Sequence, residues 1–280
     1  MSPLLFVLVM EYLSRLYGYA GKQEGFKFHP HCKEIKLTHL IFADDLIVFS
    51  TADARTLSYL KEAFDIFSSS TGLVANKAKS QIVMGGCNDQ QREQILQLIG
   101  YQEGKLPFKY LGVPVTVSRL SVMDCSLLVD KITKKIAIWA TKTTSYAGRV
   151  ALINGVLMGI YSFWATIFIL PKKVIKEVNN KCRNFLWGAD EVYKKVPYGS
   201  WEETCIPKKY RGLGIMNMEA WNCANIAKLV WVVSLKKDLL WVKWVHGRYL
   251  SKSSWWEYQP KHGTRGKLVR LKRFSSGDAH

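Results

Sequence analysis

Two adjacent carboxylates, Asp44 and Asp45, stand between two apolar runs of strand length and are the clearest candidates for chemistry in this sequence. The flanking runs are rich in β-branched and aromatic residues, so we expect a tight hairpin with both aspartates at its tip. Neighbouring carboxylates repel each other, and their oxygens are the ligands that Mg²⁺ prefers. The pair therefore predicts a divalent-metal site, and a solvated turn is the ordinary alternative for an Asp-Asp pair.

Helices on both sides of this hairpin would position it. Ser2 and Pro3 are typical of a helix start, and the apolar residues that follow surround most of the helix, which predicts that it is buried. After the hairpin, apolar residues at steps of three and four predict an amphipathic helix over 51–70. Further helices are predicted over 88–100, 122–142, 171–188 and 218–250, a strand pair or turn over 106–115, and a linker over 190–211.

The charge balance indicates the class of partner. The 280 residues include 40 Lys and Arg against 22 Asp and Glu, a formal net charge of +18. Such an excess predicts a polyanionic partner, with nucleic acid first and an anionic membrane surface second, although a merely soluble basic protein has the same composition. Two of the predicted helices carry this charge on one side. The residues on the 122–142 helix are Lys131, Lys134, Lys135 and Lys142.

Cysteine usage and the start of the chain bear on the compartment. The six cysteines are scattered without a Cys-x-x-Cys pair, which argues against zinc and against a disulfide framework. The first residues lack a basic region and a cleavage site, so a secretory signal is not expected. The sequence predicts an intracellular protein of the nucleus or cytoplasm.

A nearly unbroken apolar stretch over 150–170 is long enough to cross a bilayer. Gly155 and Gly159 even have the spacing seen in packed membrane helices. Asn154 and the small and polar breaks at Gly155, Gly159, Ser162 and Thr166 argue against a membrane span, so we expect no membrane.

Several blocks in order resemble one protein family. The block Phe42-Ala43-Asp44-Asp45 between apolar strands resembles the catalytic hairpin of reverse transcriptases, in the variant of non-LTR (LINE-type) retroelements. Ser-Pro-Leu-Leu-Phe at 2–6 and Gly-Leu-x-x-Asn-x-x-Lys-Ser at 72–80 resemble the blocks before and after it. Tyr110-Leu111-Gly112 resembles the primer grip, Ala147-Gly148-Arg149 the entry to the thumb, and 196–215 the connector of plant-type members.

The resemblance implies a role for individual residues. Asp44 and Asp45 would bind Mg²⁺, with Mn²⁺ as the alternative ion, for template-directed nucleotidyl transfer, and Lys79 would protonate the pyrophosphate leaving group. The implied partners are an RNA template, a DNA primer and a dNTP, while the oligomeric state stays open. The residues expected to contact nucleic acid are Tyr110, Leu111, Gly112, Lys131, Lys134, Lys135, Lys142 and Arg149.

The same resemblance implies an α+β fold with three parts: a partial polymerase palm at 1–117, a helical thumb at 118–188, and a connector with a helical, basic C-terminal segment at 189–280. The family's third catalytic aspartate and its fingers precede the Ser-Pro helix, so we expect a chain truncated at both ends and inactive alone. The alternatives are a non-catalytic nucleic-acid-binding remnant that uses the basic thumb helices, or a product that neither folds nor functions.

Overall fold

Helices and short two-stranded sheets make up this protein, so the predicted α+β class is confirmed. Two compact units are present: the hairpin unit contains Met1–Phe108 and Lys236–Tyr258, and the helical unit contains Lys109–Leu235 and Gln259–His280. The division into three parts at 117 and 188 stays a prediction. The structure is a computed structural model that describes residues 3–116, 120–140, 144–188, 199–251, 253–259 and 272.

The hairpin unit alternates helices with short strands. Its first sheet is the antiparallel pair β1–β2, and its second is the short parallel pair β3–β4. Helix α1 packs on α2, and α2 packs on α3. The elements are α1 (Pro3–Ala20), β1 (His39–Phe42), β2 (Asp45–Val48), α2 (Ala54–Thr71), β3 (Gln81–Ile82), α3 (Asp89–Ile99), β4 (Gln102–Glu103) and, from the second segment, α10 (Leu240–Tyr249).

The core of the hairpin unit lies between α1 and α2. Leu13 and Tyr17 of α1 meet Leu60 and Phe67 of α2, and all four side chains are buried. The bounds of α2 follow from its caps, since the Asp53 side chain accepts a hydrogen bond from the backbone N–H of Thr56 at its start. The predicted amphipathic helix is therefore confirmed.

The prediction that the first helix is buried is wrong for its first half. Leu4, Leu5, Val7 and Leu8 are between 54% and 76% exposed, and burial along α1 begins at Leu13. An apolar side chain is buried only where another element covers it, and within the described residues α2 covers the second half of α1. The hydrophobicity of the sequence predicted the helix but not which of its residues have a partner.

The helical unit begins with a small hairpin and continues as packed helices. Its core is formed by buried residues of α4, α6 and α7, including Ile132, Trp164 and Phe185. The elements are β5 (Phe108–Tyr110, whose first residue belongs to the other unit), β6 (Val113–Val115), α4 (Ser126–Ala140), α5 (Tyr146–Leu152), α6 (Met158–Ile167), α7 (Lys172–Gly188), α8 (Trp201–Thr204) and α9 (Met218–Ser234).

Helices α5 and α6 are joined through a π-helical turn, Ile153–Leu157, into one continuous helix. Tyr146–Ile167 is the one helix of the described chain that is long and apolar enough to cross a membrane, judged by length and composition only. Leu157 and Trp164 within it are buried in the unit's core, and the Tyr161 hydroxyl donates to the carbonyl of Met218 at 2.7 Å. These contacts place one side of the helix in the core of the helical unit, and 33% of its apolar span is buried.

The segment predicted as a linker is folded where the structure describes it. From residue 199 onward it contains α8 and a 3₁₀ turn, Lys208–Tyr210, and Thr204 is buried. The polar residues, Pro and Gly of this segment predicted a linker, because a short structured loop has the same composition as a linker. Residues 189–198, Lys142 and the basic tail beyond 259, apart from Lys272, lie outside the described residues.

Candidate functional site

The two aspartates lie at the end of the hairpin, as the sequence predicted. Phe42 closes β1 and pairs with Asp45, the first residue of β2, so Ala43 and Asp44 form a two-residue turn. Ala43 has a φ of 51°, a left-handed conformation that costs an alanine about 1 kcal/mol. Two-residue hairpin turns require a positive φ at their first position, so this conformation follows from the tight turn beside the two carboxylates.

Both carboxylates are exposed, so neither incurs the cost of burying a charge. None of the ion pairs between described residues involves either of them. Mg²⁺ is usually held by one or two protein carboxylates together with water and substrate phosphates, and this donor set fits that pattern. No group of three or more His, Cys, Asp and Glu residues in the described chain could hold a metal ion.

The hairpin is attached to the helices behind it. Leu46 of β2 packs against the α1–α2 core, and His39 of β1 shares a hydrogen bond with the hydroxyl of Ser14 on α1. Outside the regular ladder, the N–H of Phe49 donates to the carbonyl of Thr38 at 2.7 Å and prolongs the pairing of the strands. The base of the hairpin is thereby held while its tip reaches into solvent.

Lys79 lies in a turn of the hairpin unit between α2 and β3. The Asn76 side-chain oxygen accepts hydrogen bonds from the N–H groups of Ala78 and Lys79, at 3.0 and 3.3 Å. Asparagine commonly organises a turn in this way. The Lys79 side chain is exposed on that turn, and its catalytic role stays a prediction.

The remaining candidates belong to the helical unit. Leu111 and Gly112 connect β5 to β6 with φ values of 50° and 80°, as a tight hairpin turn of type I′ requires at both positions. A methyl group on Gly112 would lie 3.5 Å from the ammonium of Lys131 on α4. The structure therefore brings together Gly112 and Lys131, two candidates that are far apart in sequence.

Helix α4 presents three lysines on its exposed side, at positions 131, 134 and 135. Positions three and four apart lie on one face, where like charges repel, although Asp130 one turn before Lys134 offsets part of the repulsion. Helix α7 packs on α4 and exposes Lys172, Lys173 and Lys176. The helical unit thus presents two basic helical faces, as the sequence predicted, although Lys181 and Arg183, which were expected on the exposed side of α7, are half-buried.

Arg149 is half-buried, and its guanidinium is bonded within the protein. It donates to the carbonyl oxygens of Thr144 at 3.2 Å and of Leu186 at 3.0 Å, so it links α5 to the last turn of α7. A cation at the end of a helix also interacts favourably with the helix dipole. This arrangement gives Arg149 a structural role, while its contact with nucleic acid stays a prediction.

Sequence reasoning missed one group of exposed residues, which lies in the segment interpreted as a linker. Lys208, Lys209, Tyr210 and Arg211 form an uninterrupted basic and aromatic run on the 3₁₀ turn after α8. The signal was visible, since cations that flank an aromatic residue are typical of nucleic-acid-binding surfaces. The polar composition of the segment, with Pro197, Gly199 and Pro207, favours a linker instead.

Comparison with known proteins concerns the first part of the chain. Residues 1–115 match the family described as reverse transcriptase (RNA-dependent DNA polymerase). A protein of Arabidopsis thaliana, named as a ribonuclease H protein, is 28% identical over 137 residues. That match spans 49% of this chain and 22% of the relative. The matched family segment includes the hairpin with Asp44 and Asp45, the turn with Lys79, and both strands of the β5–β6 hairpin.

Proposed function

We propose that this chain is part of an RNA-directed DNA polymerase of a plant LINE-type retroelement, and that Asp44 and Asp45 bind the divalent metal used in nucleotidyl transfer. The observation that carries the proposal is the end of the β1–β2 hairpin, where Asp44 in the turn and Asp45 at the start of β2 are both exposed, within the segment that matches reverse transcriptases. The Arabidopsis relative supports a plant element. The ordered blocks beyond residue 115 support the LINE type, and the nucleus or cytoplasm would be its location.

The acidic and basic residues would have different roles in the reaction. When bound between Asp44 and Asp45, Mg²⁺ or Mn²⁺ would supply Lewis-acid activation of the primer hydroxyl and offset the charge of the dNTP phosphates. The two carboxylates would hold the ion, and Lys79 would donate a proton to the leaving pyrophosphate. The turn at Gly112, with Lys131 beside it, would hold the primer backbone of a primer–template duplex.

We also propose that this chain alone does not extend a primer. Two-metal catalysis needs enough carboxylates to hold both ions, and the described residues place two aspartates together without a third metal-binding side chain. Losing one carboxylate from such a site removes several kcal/mol of charge stabilisation.

A primer-extension assay on an RNA template with Mg²⁺ tests the proposed inactivity, and steady extension by this chain alone would contradict it. Metal binding is tested separately by titrating the chain with Mn²⁺ and following the free ion by electron paramagnetic resonance. We expect weak binding that Asp44→Asn with Asp45→Asn abolishes. Asp65→Asn removes an exposed carboxylate elsewhere in the hairpin unit and serves as the control. Unchanged Mn²⁺ binding by the double variant would overturn the metal site.

A second candidate function is nucleic-acid binding without catalysis. The observation that favours it is the exposed basic face of α4, with Lys131 beside the turn at Gly112. This function predicts salt-sensitive binding of RNA or DNA that persists in the Asp44→Asn, Asp45→Asn variant. Failure of the chain to bind nucleic acid at low salt would exclude it.

A further inference from the structure

The loop over 206–214, called here the 206–214 loop, joins α8 to α9 within the helical unit. Its two ends are hydrogen-bonded to each other, because the N–H of Gly214 donates to the carbonyl of Ile206 at 2.9 Å. One step further out, the N–H of Leu213 donates to the carbonyl of Thr204 at 3.2 Å. The loop therefore has a closed stem rather than two independent ends.

The tip of the 206–214 loop also has a defined conformation. It forms a 3₁₀ turn in which the N–H of Tyr210 donates to Pro207 at 2.8 Å, and that of Arg211 donates to Lys208 at 3.1 Å. Gly212 is required here, because a Cβ at that position would overlap the backbone carbonyl of Ile206. The tip is thus held in place by its own backbone.

The loop is fastened to the core by Asn154, which lies in the π-helical turn between α5 and α6. The Asn154 amide donates to the carbonyl of Gly214 at 3.1 Å, and its side-chain oxygen accepts from the N–H of Met216 at 3.4 Å. Leu213 packs against the buried core of the same unit. The core therefore fixes where the tip of the loop is presented.

Four consecutive side chains at this tip are exposed: Lys208, Lys209, Tyr210 and Arg211. Tyr210 is 65% exposed, and the ammonium of Lys209 lies 4.7 Å from the centroid of its ring. None of the ion pairs between described residues involves these three cations. The nearest acids along the chain are Glu202 and Glu203 of α8, and the Glu203 carboxylate is bonded to the N–H of Ser200.

We propose that the 206–214 loop binds single-stranded nucleic acid, with a base stacked on Tyr210 and the flanking phosphates contacted by Lys208, Lys209 and Arg211. An exposed aromatic face stacks on any base, and adjacent cations follow the phosphate backbone. The contact between Lys209 and the ring is an exposed cation–π pair, which is weak enough for the ammonium to turn to a phosphate. A rigid tip loses little conformational freedom on binding.

A solvated basic loop is the ordinary alternative, and the fixed backbone distinguishes this loop from it. In a flexible basic segment the cations and aromatic rings have no fixed positions relative to each other. Here the stem, the 3₁₀ turn and Asn154 all restrict the conformation of the tip. The net charge of +18 adds a general attraction to polyanions, which brings nucleic acid to the loop but does not select it. The inference does not rest on the proposed polymerase function, because the loop lies outside the segment matched to reverse transcriptases.

Fluorescence anisotropy of the full chain with end-labelled oligo-dT and oligo-rU of about 12 nucleotides tests the proposal. We expect Tyr210→Ala to weaken binding about tenfold and Tyr210→Phe to leave it nearly unchanged, since phenylalanine keeps the stacking face. Lys208→Gln with Lys209→Gln should weaken binding and reduce its salt dependence. Lys228→Gln removes one exposed lysine of α9 in the same unit and is the control for the loss of a single positive charge.

The position of the ligand is tested by ultraviolet cross-linking with an oligonucleotide that contains 5-iodouridine. We expect the cross-linked peptide to contain Tyr210, and we expect Tyr210→Ala to abolish that cross-link. Circular dichroism of each variant shows whether the fold is kept. Affinity of Tyr210→Ala within twofold of the unaltered chain, or a cross-linked peptide that lacks Tyr210, would overturn the proposal. A difference between the dT and rU oligonucleotides would identify DNA or RNA as the ligand.

Discussion

The imidazole Nε2 of His39 lies 3.0 Å from the hydroxyl oxygen of Ser14, and this hydrogen bond ties the aspartate-bearing hairpin to helix α1. The other ring nitrogen lies 2.8 Å from the hydroxyl of Thr38, and the ring centroid is 5.2 Å from that of Tyr17. Burial lowers the pKa of His39 below its usual value, against a smaller opposite effect of Glu11. The neutral imidazole is therefore the form that fits this position.

The first prediction concerns pH. Because the pKa of His39 is lowered by folding, the unfolded chain binds more protons than the folded one over the interval between the two pKa values. The free energy of unfolding should be highest above about pH 6.5, the usual histidine value, and should fall as the pH drops below it. The loss is complete once the pH is below the lowered pKa of the folded protein. Urea unfolding from about pH 7.5 to pH 5 measures this slope.

Two variants separate titration from hydrogen bonding at this position. His39→Gln cannot take up the proton, so the decrease in stability between pH 7.5 and 5 should become smaller. Part of the decrease should remain, because burial also lowers the pKa of His31. Ser14→Ala removes the hydrogen bond but keeps the histidine, so it should lower stability at both ends of the range. An unchanged pH slope in His39→Gln would show that His39 does not control it.

The second prediction concerns the two halves of α1. Leu13 is 1% exposed in the α1–α2 core, whereas Leu8 is 66% exposed on the same helix. Leu13→Ala should lower the free energy of unfolding by about 3 kcal/mol, and Leu8→Ala by no more than about 0.5 kcal/mol. Urea unfolding of the two variants side by side measures the difference. Equal losses would mean that another part of the chain covers Leu8.

The third prediction concerns Gly212 at the tip of the 206–214 loop. Gly212→Ala forces a methyl group onto the backbone carbonyl of Ile206, and we expect it to cost about 2–3 kcal/mol of stability. Gly159→Ala in α6 is the matched control, because no atom lies within 4 Å of a methyl group there. An alanine at that helical position should raise stability by up to about 1 kcal/mol. We expect thermal unfolding to show a loss of stability for Gly212→Ala and a gain for Gly159→Ala. A Gly212→Ala variant with unchanged stability would contradict the loop geometry.

The fourth prediction concerns the basic face of α4. If Lys134 and Lys135 contact phosphates, replacing both by glutamine should reduce the slope of log affinity against log salt by about 2. Binding of a labelled primer–template duplex between about 50 and 200 mM salt gives that slope. Lys228→Gln, which changes one charge elsewhere in the unit, should alter the slope less. A slope that stays unchanged in the double variant would place the duplex on another surface.

Local sequence signals predicted most of the secondary structure. Spacing of apolar residues indicated α2, α4 and α7, and the structure adds the cap residues Asp53 and Asn88 at the starts of α2 and α3. The hairpin at Asp44 and Asp45 was likewise predicted from two β-rich runs around a short polar turn. These signals depend only on residues that are close in sequence, so they hold regardless of how the rest of the chain packs.

Burial and loop order were harder to predict, and α1 and the 206–214 loop show why. Both depend on partners distant in sequence: α1 is buried only where α2 covers it, and the loop is held by Asn154, which lies 60 residues before Gly214. Composition favoured a buried helix and a linker; the first prediction was wrong for the first half of α1, and the second was wrong for the described part of the segment. The chemical type of a residue does not determine which distant residues it contacts in the folded protein.

The sequence by itself determined the charge of this protein, its helices and the hairpin with two aspartates, because these follow from residue type and short-range spacing. The tertiary structure alone decided that the leucines at the start of α1 are exposed, that Lys131 lies beside Gly112, and that Arg149 bonds to the end of α7. The physical reason is that each of these properties depends on contacts between elements. Such contacts form only when the whole chain is packed.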